Sequence, residues 1–167
     1  MKAVKTVGIQ YAALPFRIKA RQVQVLLITS RTTRRWVIPK GWPIRGLKPQ
    51  EVAAVEAAEE AGIAGEVVDR PIGSYHYAKR LKGERTADVQ VIVFPFRAAE
   101  HAGDWKEQHQ RIYGWFEYRK AARLVGEPGL RRLIHDLGAA RSPTLMARSL
   151  RTYHSWRAIV RARPALG

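Results

Sequence analysis

Residues 39–63 read PKGWPIRGLKPQEVAAVEAAEEAGI. The stretch opens as a loop rich in Gly, Pro and Trp and ends as a helix crowded with carboxylates. Pro49 suits the first helical turn, where its missing N–H is no loss, and Gly62 suits the stop. Val52 and Val55 stand three apart and can face a core. Glu56, Glu59 and Glu60 fall at i, i+3 and i+4, so the spacing predicts that all three project from one side of the helix. Like charges so placed cost a helix about 0.2–0.5 kcal/mol per pair. A solvated acidic face tolerates that cost, whereas a hard divalent cation taking oxygen ligands offsets it. The glutamates alone do not choose between these.

The 167 residues suffice for one domain with a proper core and an appended segment. Apolar residues make up 46% and charged residues 26%, the balance of a soluble globular protein. Lys and Arg total 30 against 14 acids, a formal net charge of +16. That excess implies polyanionic company: phosphorylated small molecules, nucleic acid or an acidic membrane surface. The absence of Cys excludes disulfides, thiolate catalysis and Cys-ligated zinc, and a reducing cytoplasm is the expected compartment. MKAVKTVGIQYAALPF is broken by Lys5, Gln10 and Pro15 and predicts no export signal. No apolar run approaches the roughly 18–20 residues that span a bilayer. There is no internal repeat and no low-complexity tract.

Around the opening stretch the pattern is strand-rich. Residues 4–14 and 22–29 predict strands, with Pro15–Arg21 as their connection and residues 30–35 as a basic turn. Trp36–Ile38 predicts a short buried strand leading into the loop. Beyond the helix, residues 65–69 and 72–77 predict one strand interrupted at Pro71. Residues 79–85 form a basic turn on Gly83, and residues 86–97 return as a strand buried on both faces at its centre. Residues 98–110 are polar and loop-like, 111–117 a last short strand, and 119–125 and 129–137 helices. From Arg141 onward there are six Arg, no Lys and no acid. There Met146, Leu150, Tyr153, Trp156 and Val160 keep helical spacing, which predicts an amphipathic basic helix better suited to a protein surface than to lipid. The organisation expected is a domain over 1–140 and a basic extension over 141–167. The order of elements is that of an α+β fold with mixed or antiparallel sheets.

Flanked in this way, the loop and helix resemble the Nudix hydrolase family, whose box runs Gly-x5-Glu-x7-Arg-Glu-apolar-x-Glu-Glu-x-Gly-apolar. Gly41, Glu56, Ala57, Glu59, Glu60, Gly62 and Ile63 fall in register over 23 positions. Two positions depart: Leu47 stands where the box has its first Glu, and Val55 where it has Arg. Those two family residues resemble a structural ion pair that ties loop to helix. Losing both together avoids an uncompensated charge, and an apolar contact between Leu47 and Val55 is expected in its place. Within the family, the resemblance covers residues 4–137 and is nearest to the diphosphoinositol polyphosphate and diadenosine polyphosphate hydrolases. WVIPKGW at 36–42, Asp104–Trp105, Arg111 and Trp115–Phe116 carry it, although Lys40 and Trp42 flank a single Gly41 where that branch has a glycine-rich turn.

The resemblance implies an α/β/α sandwich and a pyrophosphohydrolase using Mg²⁺ or Mn²⁺, held by Glu56, Glu59, Glu60 and the Gly41 carbonyl. Glu56 or Glu59 takes the proton of the attacking water, with Glu100 and Glu107 as weaker candidates, and Glu51 caps or solvates the first turn. Independently, Arg31, Arg34, Arg35, Lys40, Arg45, Lys79, Arg80, Lys82 and Arg85 cluster in loops that can hold a chain of phosphates. Any one of them can equally be solubilising. Trp42, Tyr75, Tyr77 and Trp105 can stack on a base or simply fill a core. His76, His101 and His109 lack ligand-like spacing. The expected partner is a polyphosphorylated small molecule. Alternatives are a nucleotide or RNA 5′-end pyrophosphohydrolase, whose basic tail holds a nucleic-acid backbone, and a binding module that senses polyphosphate or RNA without turnover. Three clustered negative charges argue against a pure anion binder.

Overall fold

The structure, a computed structural model, describes residues 6–83, 85–140 and 153–155. Strands β1 (Thr6–Lys19) and β2 (Gln22–Thr29) form a hairpin, followed by the short β3 (Trp36–Val37) and β4 (Lys40–Gly41). Helix α1 (Pro49–Ala61) leads into β5 (Ile63–Val68), β6 (Gly73–Arg80) and β7 (Thr86–His101). Then come β8 (Tyr113–Glu117), α2 (Tyr118–Leu124), α3 (Pro128–Ala139) and β9 (Tyr153–Ser155).

The sheet is mixed. β1 runs parallel to β7 along one edge, and the other pairings are antiparallel. Strand alternation sorts the apolar residues into two cores. Leu14, Phe16, Val25, Leu27, Val91 and Val93 face α2 and α3, which bring Ala121, Leu130, Ile134 and Leu137. Ala13, Leu26, Ile28, Phe94 and Phe96 face α1, which brings Ala53, Ala54, Val55, Ala57 and Ala61. Helices therefore cover both faces, the α/β/α sandwich that the family resemblance implied. The many Ala on α1 let it lie close to the sheet.

Two prolines in mid-strand explain where the sequence reading differed. Pro15 is not in the hairpin connection but within β1, opposite Phe96, and the turn is only Ala20–Arg21. On its other edge β1 pairs with β4 at Tyr11–Ala12, then donates from Ala13 N to Pro39 O. It pairs with β2 only from Phe16. Amides two apart point to the same edge, so Pro15, which has no N–H, sits where β1 exchanges one neighbour for another. Pro95 does the same in β7, between the β6 pairing that ends at Val93 and the β5 pairing that begins at Phe96. β5 and β6 thus run in line along β7, interrupted around Pro71 as expected. The splitting of the β1–β2 hairpin also creates the slot for β3 and β4, which carries Lys40 and Gly41 into the sheet.

The polar tract 98–110 is not all loop, since β7 continues to His101. In the basic tail, Tyr153–Ser155 forms a strand antiparallel to β5, with Glu66 opposite Ser155. This corrects the helix expected there. The remainder of that expectation lies outside the described residues. Among the described residues, no helix is long and apolar enough to cross a membrane.

Ala20 and Arg21 both have positive φ, 50° and 61°, the backbone of a tight hairpin turn that favours Asn-Gly. The double substitution Ala20→Asn with Arg21→Gly raises stability by about 0.5–1 kcal/mol, read as a higher urea midpoint at constant m-value. A lowered midpoint contradicts this account of the turn.

Candidate active site

α1 begins with Glu51 Oε2 accepting from Lys48 N at 2.7 Å, the capping role expected of Glu51. It ends at Gly62, whose left-handed φ of 64° turns the chain straight into β5. Trp105 packs on Gly62 so closely that a Cβ there would collide with its ring.

The three glutamates do not act as one face. Glu56 and Glu60 look across at β4 and line a cleft of about 1160 Å³. The Glu56 carboxylate fills the space that a Cβ on Gly41 would need, so glycine is required there for close approach, not for its dihedral freedom. Glu60 Oε2 accepts from Lys40 N at 3.1 Å, and its Oε1 is paired with the Arg111 guanidinium. Arg111 also donates to Glu107 Oε2 at 2.6 Å and to Thr29 O at 3.0 Å. Glu59 turns away to the 102–112 loop. Its Oε2 accepts from Lys106 Nζ at 2.9 Å and its carbonyl from Glu107 N at 3.1 Å.

Burial pushes the Glu60 carboxyl above its usual range, against the opposing pull of Arg111, Lys40 and the Lys40 amide. Lys40, in the same crowded floor, is lowered by desolvation although Glu60 and Glu127 act to raise it. The Tyr77 hydroxyl, donating to Gln10 Oε1 at 2.7 Å, is pushed up to about 12 by burial and then by the Glu127 and Glu60 charges. Lys79 lies 4.6 Å above the Trp42 ring, and desolvation lowers it.

Of the cations expected to bind phosphate, Arg31, Arg35, Lys40, Lys79 and Arg80 line the cleft. Arg34, Arg45, Lys82 and Arg85 do not, and Arg34 is engaged with Gln110 O at 2.9 Å. Glu107 is on the wall of the cleft, whereas Glu100 lies outside it on β7. Trp42, Tyr75 and Tyr77 are lining residues, but Trp105 is committed to Gly62 and the His101–Tyr113 stack. His76 pairs with Asp88 at 2.9 Å on the far strand. Sequence reasoning gave Arg111 no role at the site, and its spacing from Glu60 carries no local signal. It likewise missed Gln10 and Glu127.

The acids that line the cleft, Glu56, Glu60 and Glu107, and the Gly41 backbone offer oxygen donors. That chemistry fits a hard cation such as Mg²⁺ or Mn²⁺. Among the described residues, however, no three acidic or His side chains converge as a ready cation site. Arg111 and Lys106 are the counter-charges in this arrangement.

The NUDIX domain model matches residues 10–137. The chain belongs to the Nudix family. Nudix hydrolase 18, mitochondrial, of Arabidopsis thaliana is 29% identical over 115 residues, covering 65% of this chain and 63% of that protein. Nudix hydrolase 12, mitochondrial, of the same plant is 25% identical over 118 residues, covering 69% and 58%. The matched region thus spans less than two thirds of the length of these relatives. Among solved structures, the C. elegans Ap4A hydrolase superposes with a TM-score of 0.55 at 18% identity, covering 80% of this chain and 98% of that one. The E. coli dihydroneopterin triphosphate pyrophosphohydrolase gives 0.59 at 14%, covering 78% and 94%. These likenesses establish the fold.

Leu47 and Val55, the two departures from the Nudix box, enter the same apolar cluster under α1. Val55 is 1% exposed. Val55→Arg alone therefore buries an uncompensated charge and costs about 3 kcal/mol or more in denaturant unfolding. Adding Leu47→Glu restores at least about 1 kcal/mol of that loss, by rebuilding the family's ion pair. A double variant no more stable than the single one places the two residues too far apart to pair.

Proposed function

We propose that this chain is a divalent-metal-dependent pyrophosphohydrolase that cleaves a P–O–P linkage in a highly phosphorylated small molecule, of the diadenosine polyphosphate or diphosphoinositol polyphosphate type. The observation that carries the reading is one cleft in which Glu56, Glu60 and Glu107 face Lys40, Lys79, Arg31, Arg35 and Arg80. Acids alone would repel the substrate, and bases alone would hold it without hydrolysing it.

Glu56, Glu60 and the Gly41 carbonyl would hold Mg²⁺ or Mn²⁺, with Glu59 joining them on release from Lys106. The bound ion supplies Lewis-acid polarisation of a phosphoryl oxygen and a lowered pKa for water. The cations on the cleft wall orient the phosphate chain and take up charge developing on its oxygens. Water attacks one phosphorus, the bridging P–O bond breaks, and the leaving phosphate departs with its electron pair. Glu56, lying over Gly41 on the floor, accepts the water's proton. Family membership supports the chemistry, and the fold shared with a protein described as an Ap4A hydrolase is in keeping with the substrate class.

The catalytic unit is residues 1–140. The six Arg beyond it give a basic extension suited to a polyanion, the feature favouring an RNA 5′-end substrate as second reading. The cytoplasm is the compartment we propose from the lack of Cys.

A panel with Mg²⁺ tests both readings: diadenosine polyphosphates, diphosphoinositol phosphates, ADP-ribose, nucleoside triphosphates and 5′-triphosphate RNA. Turnover is expected on a small-molecule member, and Glu60→Gln lowers it by about 100-fold or more while the thermal unfolding curve stays cooperative. Near-normal turnover by Glu60→Gln overturns the assignment of the site. Tight binding of the panel with no turnover by the unmodified chain makes it a sensor instead.

A further inference from the structure

At the end of the cleft formed by α3 lies a carboxylate that the proposed hydrolysis does not use. Glu127 precedes α3 as its N-cap residue, yet its side chain makes no capping hydrogen bond. The side chain is only 10% exposed and lines the cleft. Oε1 has a long ion pair, 3.5 Å, to the exposed Arg35. Oε2 is buried and has no hydrogen-bond partner among the described residues. Buried carboxylate oxygens are rarely left so, because nothing replaces the water they gave up. Glu127 lines the same cleft as Glu60, Lys40 and Tyr77, so the unpaired carboxylate belongs to the lining that includes the proposed reacting centre.

A phosphate chain cannot satisfy that oxygen. Phosphoanhydride oxygens are acceptors without protons at neutral pH, and their charge repels a carboxylate. The missing partner must be a donor, N–H or O–H, on an uncharged part of the ligand. A nucleoside presents such donors as ribose hydroxyls and exocyclic amines, whereas a polyol phosphorylated at every position presents none. Gln10, Tyr75 and Tyr77 complete a wall that is polar but uncharged on the same side of the cleft.

We propose that Glu127 is a specificity-determining residue, its free Oε2 accepting a hydrogen bond from the nucleoside end of a nucleoside polyphosphate whose phosphates lie on the Arg and Lys wall. This rests on the pyrophosphohydrolase reading for the reaction, but the recognition itself needs no turnover.

The test is calorimetric titration of the full chain, without added divalent metal, using ADP and inorganic pyrophosphate as matched probes. Both carry two phosphates, and only ADP carries nucleoside donors. In Glu127→Ala the affinity for ADP falls about 10- to 100-fold relative to that for pyrophosphate. Glu127→Met, which keeps the length of the side chain without an acceptor, gives the same change in ratio and carries the test if the alanine variant does not fold. An unchanged ADP-to-pyrophosphate ratio in the folded variant, or an equal loss of both ligands, overturns the proposal. If the unmodified chain hydrolyses no phosphoanhydride but the ratio shifts as stated, the hydrolase reading fails and the assignment of Glu127 stands.

Discussion

The site depends on the need to satisfy both oxygens of the Glu60 carboxylate inside the protein. One oxygen takes the backbone N–H of Lys40 and the other takes Arg111. Those contacts join α1, the β3–β4 segment lodged in the split hairpin, and the chain entering β8. A buried carboxylate that lost either partner would be costly, so the three segments are fixed relative to one another. Glu56 then comes to rest over Gly41 because Glu60, one turn further along α1, is already anchored to the adjacent residue.

Around that anchor the charges are arranged in opposition. Acids and cations share the lining of one cleft, and desolvation lowers Lys40 and Lys79 within it. The protein uses its own cations to neutralise the acids: Arg111 bridges Glu60 and Glu107, and Lys106 pairs with Glu59. A divalent ion bound by these acids would have to compete with their internal partners. The net charge of +16 gives the molecule a long-range attraction for anions.

Much of this was legible because local rules and the box pattern agree. Pro49 and Gly62 sit at the helix start and stop that their types imply, and Glu56 and Glu60 line one cleft with Gly41, as their spacing implies. The engagement of Glu59 with Lys106 was not legible, because helical spacing reports only a face and Lys106 lies 47 residues away in sequence. Arg111, 51 residues from Glu60, and Glu127, buried by elements on either side of it, were invisible for the same reason. Pro15 misled in another way. A proline breaks a strand only where its amide is needed, and β1 changes neighbours at that point. The Tyr153–Ser155 strand could not be anticipated either, since its partner is the free edge of β5.

The central claim is that the approach of Glu56 to Gly41 builds the reacting centre, and Gly41→Ala tests it most directly. The added methyl group occupies the space of the Glu56 carboxylate without straining the backbone, so the fold should survive. The account predicts unchanged cooperative unfolding and turnover of the best phosphoanhydride substrate reduced by about 100-fold or more. A folded Gly41→Ala variant hydrolysing that substrate within a few-fold of the unmodified chain contradicts it.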